Sequence, residues 1–141
     1  IFGIHKGTRK EHIIRAVLEG IAFGLADIFD IITQQTDIRI KNLRIDGGTS
    51  KNNLLAQCFA DYVRCEVFRA RKGSQATGAG AAQMAALGAG VYSLKTLPEI
   101  QFEDDYFFPQ MDGETSAQKL ARYRDAVKRS AGWMKWDMTD V

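Results

Sequence analysis

The chain has 141 residues, of which 45% are hydrophobic and 26% charged, and its formal net charge is +2. These values are typical of one globular soluble domain and exclude a disordered tail. No apolar run approaches the ~20 residues that a membrane-spanning helix needs, and so small a positive excess does not indicate nucleic-acid binding. We therefore expect neither a membrane nor a nucleic acid among its partners.

The cysteines and histidines form no metal-binding pattern. Cys58 and Cys65 make no CxxC pair, and His5 and His12 lie far from them in the sequence. We therefore predict no metal site, and we interpret the cysteines as core or surface thiols. Two unpatterned thiols without a signal-peptide pattern favour a reducing, cytoplasmic location. His5 is interpreted as a loop residue and His12 as a helix-face residue.

A long first helix is predicted. The segment Thr8 to Glu11 (TRKE) has the form of a capping box at its start. Apolar residues then recur at helical spacings: Ile14, Leu18, Ile21, Leu25, Ile28 and Ile32. Further apolar side chains widen this face, so the helix should pack on more than one side. Gly20 and Gly24 within it indicate the close approach of another backbone.

Strands and helices alternate further along the chain. NLRID at 42–46 and EVFRA at 66–70 read as strands, with a helix at 53–63 between them. An Ala/Gly-rich helix follows within 73–90, capped by Ser74 or Thr77. Strand, helix, strand, helix in this order predicts parallel βαβ units and an α/β fold.

The last part of the chain has an irregular pattern followed by one helix. Residues 91–111 contain two prolines and several aromatic residues, and no element is predicted there. A final helix is predicted from Thr115 or Ser116 to about Lys135. One face of this helix carries Leu120, Tyr123, Val127 and Met134.

The stretch LRIDGGTSKNN, residues 43–53, places two glycines between a strand and a helix. Ligands of open α/β sheets bind at that edge, and Gly47 and Gly48 would let a flat ring or a phosphate approach the backbone. Thr49 and Asn52 add polar groups that can bond a base, a ribose or a phosphate. Glycines after strands are also common turn residues, and Asp46 fits a turn as well as it fits a ligand contact.

Three blocks of the sequence together resemble the carbohydrate kinases of the actin-like ATPase fold, and among them the glycerol kinases. The first is IFGIHKGTRKEHIIRAVLEGIAF, which follows a family signature through Gly3, His12 and Glu19. The second is IRIKNLRIDGGTSKNNLLAQCFADYVRCEVFRA, which is similar to the adenosine-side loop. The third is FFPQMDGETSAQKLARYRDAVKRSAGW, similar to the terminal helix. Together they cover nearly the whole chain.

The resemblance implies that the chain is the C-terminal portion of a longer kinase, forming part of an actin-like (ribonuclease H-like) ATPase domain. In such a kinase the γ-phosphoryl of ATP, with Mg²⁺, passes to glycerol or a related polyol. Gly48 and Asn52 match the family's nucleotide contacts, with Gly47 and Thr49 as neighbours in the loop. The resemblance places no catalytic residue in this chain, because the catalytic aspartate belongs to the N-terminal domain. A cytoplasmic homo-oligomer is expected.

One block departs from the family pattern. Most relatives read ETTALGAA where this chain reads QATGAGAA, from Gln75 to Ala82. This departure favours one alternative, a non-catalytic kinase-like nucleotide-binding module. A kinase for another substrate, such as a five-carbon sugar, also stays open, because the resemblance places most of the substrate contacts in the N-terminal domain.

Overall fold

A computed structural model describes residues 1–70, 76–98 and 104–132. These residues form four α-helices and three strands, with one turn of 3-10 helix at Gly48–Lys51. In chain order the elements are α1 (Lys10–Thr36), β1 (Asn42–Ile45), α2 (Asn53–Val63), β2 (Glu66–Ala70), α3 (Ala76–Gly88), β3 (Asp104–Phe107) and α4 (Gly113–Ser130).

The strands form one mixed sheet in the order β1-β2-β3. β1 and β2 pair in parallel, with Asn42 opposite Glu66 and Ile45 opposite Arg69, so the predicted parallel pair is confirmed. β3 pairs antiparallel to β2, with Val67 opposite Phe107. The prediction that 91–111 is irregular throughout was therefore wrong at β3. Its sequence, DDYF, begins with two aspartates, which are depleted in strands, so propensity gave no signal.

The predicted capping box of α1 was also wrong. The N-cap is Arg9, whose N–H donates to Nδ1 of His12 at 3.1 Å. The hydroxyl of Thr8 instead accepts from the N–H of His5 at 3.0 Å and closes the turn before the helix. His12 therefore takes the role that was predicted for Glu11, because the helix begins one residue later than predicted, with Arg9 and not Thr8 at the N-cap.

The bounds of the other helices agree with the sequence to different degrees. α2 has the predicted bounds, whereas α4 begins at Gly113 and not at Thr115 or Ser116. Oδ1 of Asp112 accepts from the N–H of Thr115 at 2.8 Å and caps the earlier start. Thr77 lies inside α3 and does not cap it. Ser74, Met134 and Lys135 lie outside the described residues.

α2 lies at the centre of the fold, between α1 and the sheet. On one side Cys58 and Tyr62 pack with Ala22, Phe23 and Ala26 of α1. On the other side Ala60 packs with Cys65 and Val67, against Leu43, Ile45 and Phe107 of the sheet. α4 joins the first cluster through Tyr123, whose ring centroid lies 5.0 Å from that of Phe23. This core fixes the sheet edge from which the loop after β1 projects.

One side of α1 is open to solvent. Its exposed large apolar residues, which we call the open α1 face, are Ile13, Ile14, Val17, Ile21, Ile28 and Ile31. Within the described residues α1 thus packs against α2 and α4 but not all round. A Cβ added at Gly20 or Gly24 would meet nothing within 4 Å, so the close backbone approach predicted there is not made by the described part of the chain. Among the described residues, no helix has the length and apolar character needed to cross a membrane.

Candidate nucleotide-binding site

The loop from Gly47 to Asn52 leaves the carboxyl end of β1 and leads directly into α2. Gly47 has φ +91°, a backbone conformation that glycine adopts without a steric penalty. Both the N–H (3.2 Å) and the hydroxyl (2.7 Å) of Ser50 donate to the carbonyl of Gly47 and close the turn. The loop is therefore a defined turn at the edge where α/β sheets bind ligands.

The two glycines have different roles in the folded chain. Position 47 requires glycine because its φ is positive, whereas φ of Gly48 lies outside the positive-φ region. A Cβ added at Gly48 would meet nothing within 4 Å, and both Gly48 and Thr49 are exposed. The fold itself therefore does not require glycine at position 48. Open space in front of its backbone is what a flat ligand needs in order to approach.

Asn52 caps α2. Its Oδ1 accepts from the N–H groups of Leu54 at 3.0 Å and Leu55 at 3.2 Å. Asn52 was predicted only as a ligand contact, and its capping role was missed although Asn is a preferred N-cap residue. The capping bonds occupy the oxygen of the amide, so Nδ2 is the atom that can donate to a ligand.

The loop is tied to the sheet by Arg69, which sequence reasoning did not single out. Its guanidinium donates to the carbonyl of Ser50 and to Oδ1 of Asn53, and it pairs with Asp105 at 3.2 Å. Arg69 lies 19 residues from Ser50 in the sequence. No local pattern could have shown this contact, because it depends on the register of β1 and β2.

The described residues contain no group of three or more His, Cys, Asp or Glu side chains that could hold a metal ion. Asp46 is exposed beside Gly47. His5 accepts from the N–H of Gly7 through Nδ1 at 3.0 Å, and His12 accepts from the N–H of the N-cap residue Arg9 in the first turn of α1. Both histidines therefore take part in local turns, as their interpretation as loop and helix residues implied.

A second polar cluster, which sequence reasoning also missed, joins three helices away from the loop. Oε1 of Glu19 accepts from Arg15 at 3.0 Å, from the hydroxyl of Tyr62 at 2.8 Å and from Lys119 at 3.2 Å. Burial acts to raise the pKa of Glu19, but these hydrogen bonds together lower it. Burial, followed by the bond to Glu19, raises the pKa of Tyr62. The cluster is a structural crosslink between α1, α2 and α4.

The two cysteines lie in the core and form no disulfide. Burial raises the pKa of both the Cys58 and the Cys65 thiol. A raised pKa lowers the thiolate fraction on which cysteine reactivity depends. Both cysteines are therefore core thiols and not surface thiols.

The chain is similar over most of its length to glycerol kinases. It is 39% identical over 136 residues to the glycerol kinase of Saccharolobus islandicus strain M.16.27, covering 96% of this chain and 27% of that protein. It is 40% identical over 136 residues to the glycerol kinase of Rhodopirellula baltica, covering 96% of this chain and 25% of the relative. The chain thus spans about a quarter of the length of the curated relatives that it matches.

Solved structures give the same result for the fold. The structure of Plasmodium falciparum glycerol kinase with ADP matches with a TM-score of 0.75 at 32% identity, over 92% of this chain and 26% of that one. The expected α/β, actin-like kinase architecture is thereby confirmed. The family model that matches residues 1–89 describes the C-terminal domain of the FGGY family of carbohydrate kinases. The chain therefore belongs to the FGGY family of carbohydrate kinases.

Proposed function

We propose that the full-length parent of this chain is a glycerol kinase, which transfers the γ-phosphoryl group of ATP to a terminal hydroxyl of glycerol. One observation carries the proposal: the curated relatives at 39–40% identity are glycerol kinases and align with 96% of the chain. A kinase of this kind accelerates transfer mainly by positioning the reactants and stabilising charge. This chain would supply one wall of the cleft and no catalytic residue.

The proposed nucleotide contacts are Gly47, Gly48, Thr49 and Asn52. Their support is geometric: the loop lies at the sheet edge, Gly48 has open space before its backbone, and Nδ2 of Asn52 can donate. The related Plasmodium falciparum enzyme was solved with ADP, which favours a nucleotide as the ligand. Mg²⁺ would arrive with the phosphates, because it is bound through few carboxylates and through substrate phosphates.

Two further features of the parent are proposed. Free, buried cysteines fit a reducing compartment, so we place the enzyme in the cytoplasm. The open α1 face favours contact with other polypeptide surface, which supports a homo-oligomer. Both belong to the parent protein, and its sedimentation behaviour measures the second.

A coupled assay on the full-length parent tests the reaction. We expect ADP production that depends on glycerol and exceeds that with a five-carbon sugar. Faster turnover with the sugar would show that the parent is a five-carbon sugar kinase of the same family. No turnover with either, while ADP still binds, would favour the non-catalytic module suggested by the QATGAGAA block. The isolated 141-residue chain should give no glycerol-dependent ADP, since it holds only one side of the cleft.

The site is tested in the same parent with Gly48→Val. A Cβ at position 48 meets nothing within 4 Å in the folded chain, so the fold should tolerate the substitution while the nucleotide loses its approach to the backbone. We expect the Kd for ADP to rise about tenfold or more, the equivalent of at least ~1.4 kcal/mol. Gly88→Val is the matched control, because a Cβ there also meets nothing and the position ends α3. Equal affinities of the two variants would show that the loop is not the site.

A further inference from the structure

Arg69, on β2, has hydrogen-bond partners in three places: the proposed nucleotide loop, the start of α2 and β3. Its guanidinium donates to the carbonyl of Ser50 in the loop and to Oδ1 of Asn53 at the start of α2. Nε and a terminal nitrogen also donate to Oδ2 of Asp105 on β3, at 3.4 and 3.2 Å. The planar fork of an arginine is suited to holding several oxygens in fixed directions at once.

The surroundings of Arg69 leave it little freedom. Only 12% of its side chain is exposed, against 31% for Asp105. The guanidinium carbon lies 5.2 Å from the centroid of the Phe107 ring. A charge at this depth must keep its partners, because an unpaired buried charge is costly. The guanidinium is therefore a fixed point against which the loop is held.

The contacts continue from Arg69 to the loop glycines. The carbonyl of Ser50 is held by Arg69, and the N–H and hydroxyl of the same residue hold the carbonyl of Gly47. Gly47 in turn has the left-handed φ that turns the chain toward Gly48. We infer that Arg69 is a positioning residue for the nucleotide: it fixes the shape of the loop without touching the ligand. This inference rests on the proposed function of the loop.

Arg44 provides a control on the same sheet that is more exposed, with 47% of its side chain accessible against 12% for Arg69. It pairs with Asp104 of β3 at 3.0 Å, and its guanidinium carbon lies 5.3 Å from the ring centroid of Phe68. Residues alternate between the two faces of a strand, so Arg44 lies on the face opposite Arg69. Both arginines thus pair with an aspartate of β3, Arg44 from β1 and Arg69 from β2, but the hydrogen bond from Arg44 to Asp104 involves no atom of the loop.

The experiment compares Arg69→Lys with Arg44→Lys in the full-length parent. Lysine keeps the charge but cannot reproduce the fork. We expect Arg69→Lys to raise both the Kd for ADP and the KM for ATP roughly tenfold, about the effect of losing one hydrogen bond of a charged group. The KM for glycerol should stay within twofold of wild type. Arg44→Lys should change none of these constants.

Hydrogen exchange supplies a readout that does not depend on activity. Peptides covering 47–53 should exchange faster in Arg69→Lys than in wild type or Arg44→Lys, since the held carbonyl of Ser50 is released. If Arg69→Lys does not fold, Asn53→Ala, which removes one of the same bonds from an exposed residue, should still raise the Kd for ADP by about threefold.

The outcomes separate the inference from the proposed function. If Gly48→Val weakens ADP binding while Arg69→Lys and Asn53→Ala bind like Arg44→Lys, the site stands and the positioning role is wrong. If Gly48→Val leaves ADP affinity unchanged, the proposed site itself fails. An equal rise in the KM values for ATP and glycerol in Arg69→Lys would indicate a general structural defect and would also overturn the inference.

Discussion

Glu19 shows how one side chain can join distant parts of this chain. Its carboxylate accepts hydrogen bonds from α1, α2 and α4 through a single oxygen, and only 15% of the side chain is exposed. The sequence predicts that Glu19 lies within the first helix. It could not show that Tyr62 and Lys119, 43 and 100 residues away, would lie there. Partners of this kind are set by helix packing.

Glu19→Gln should make the stability of the chain less dependent on pH. Because the folded-state pKa of Glu19 is lowered, the charged carboxylate stabilises the fold above its unfolded pKa. That stabilisation is lost as the pH falls through the lowered folded-state value. At pH 7 we expect the variant to be less stable by about 1.5–3 kcal/mol, the range for hydrogen bonds to charged groups.

Urea unfolding of the 141-residue chain at several pH values from 7 to 3 measures this difference. The gap between wild type and Glu19→Gln should begin to close below about pH 4.3, the ordinary pKa of glutamate. Glu11→Gln, at an exposed position, serves as the control and should stay within about 0.5 kcal/mol of wild type. A gap that is constant down to pH 3 would contradict the assigned role.

At the scale of elements, helix and strand bounds were predictable where local chemistry decides them. α2 lies between a preferred N-cap residue, Asn52, and a strand with β-branched and aromatic residues, and both its bounds were predicted from sequence. β3 was missed because it owes its place to pairing with β2 and to ion pairs of its aspartates with Arg44 and Arg69. Tertiary contacts there override a weak propensity.

The candidate site divides in the same way. The double glycine after a strand was enough to place the loop at the sheet edge. The sequence could not show that Gly47 and Gly48 differ, because φ of each depends on the closed turn. The contact between Arg69 and the loop depends on strand register, so residue spacing in the sequence cannot predict it. Local turn chemistry is therefore readable in the sequence, whereas the support of the loop is not.

Asn52 is both the N-cap of α2 and a proposed nucleotide contact, and substitutions can separate these two roles. Asn52→Ala removes the cap of α2 and should lower the free energy of unfolding by about 1 kcal/mol, whereas Asn52→Ser keeps a capping oxygen and should stay near wild type. Both lose Nδ2, so both should weaken ADP binding in the parent. Urea unfolding and ADP titration check the two effects. If Asn52→Ser bound ADP like wild type, the residue would be a cap only.

At the scale of the whole molecule, the open α1 face and the site loop have one feature in common. The described residues define the shape of each of these surfaces but do not cover it. A groove of about 550 Å³ lies between α1 and α4, lined by apolar residues such as Val17, Phe23 and Tyr123. Large exposed apolar surfaces mark places where another polypeptide surface packs. Under the proposed function, these surfaces would belong to one wall of the cleft of the parent kinase.

Photolabelling of the full-length parent with 8-azido-ADP, followed by tryptic peptide mapping, tests most directly whether this wall holds the nucleotide. Cleavage after Arg44, Lys51 and Arg64 isolates the peptides 45–51, which contains Gly47 to Thr49, and 52–64, which begins at Asn52. We expect the label in one or both of these peptides and its loss when unmodified ADP is in excess. Competed label found only outside residues 1–141 would contradict the account.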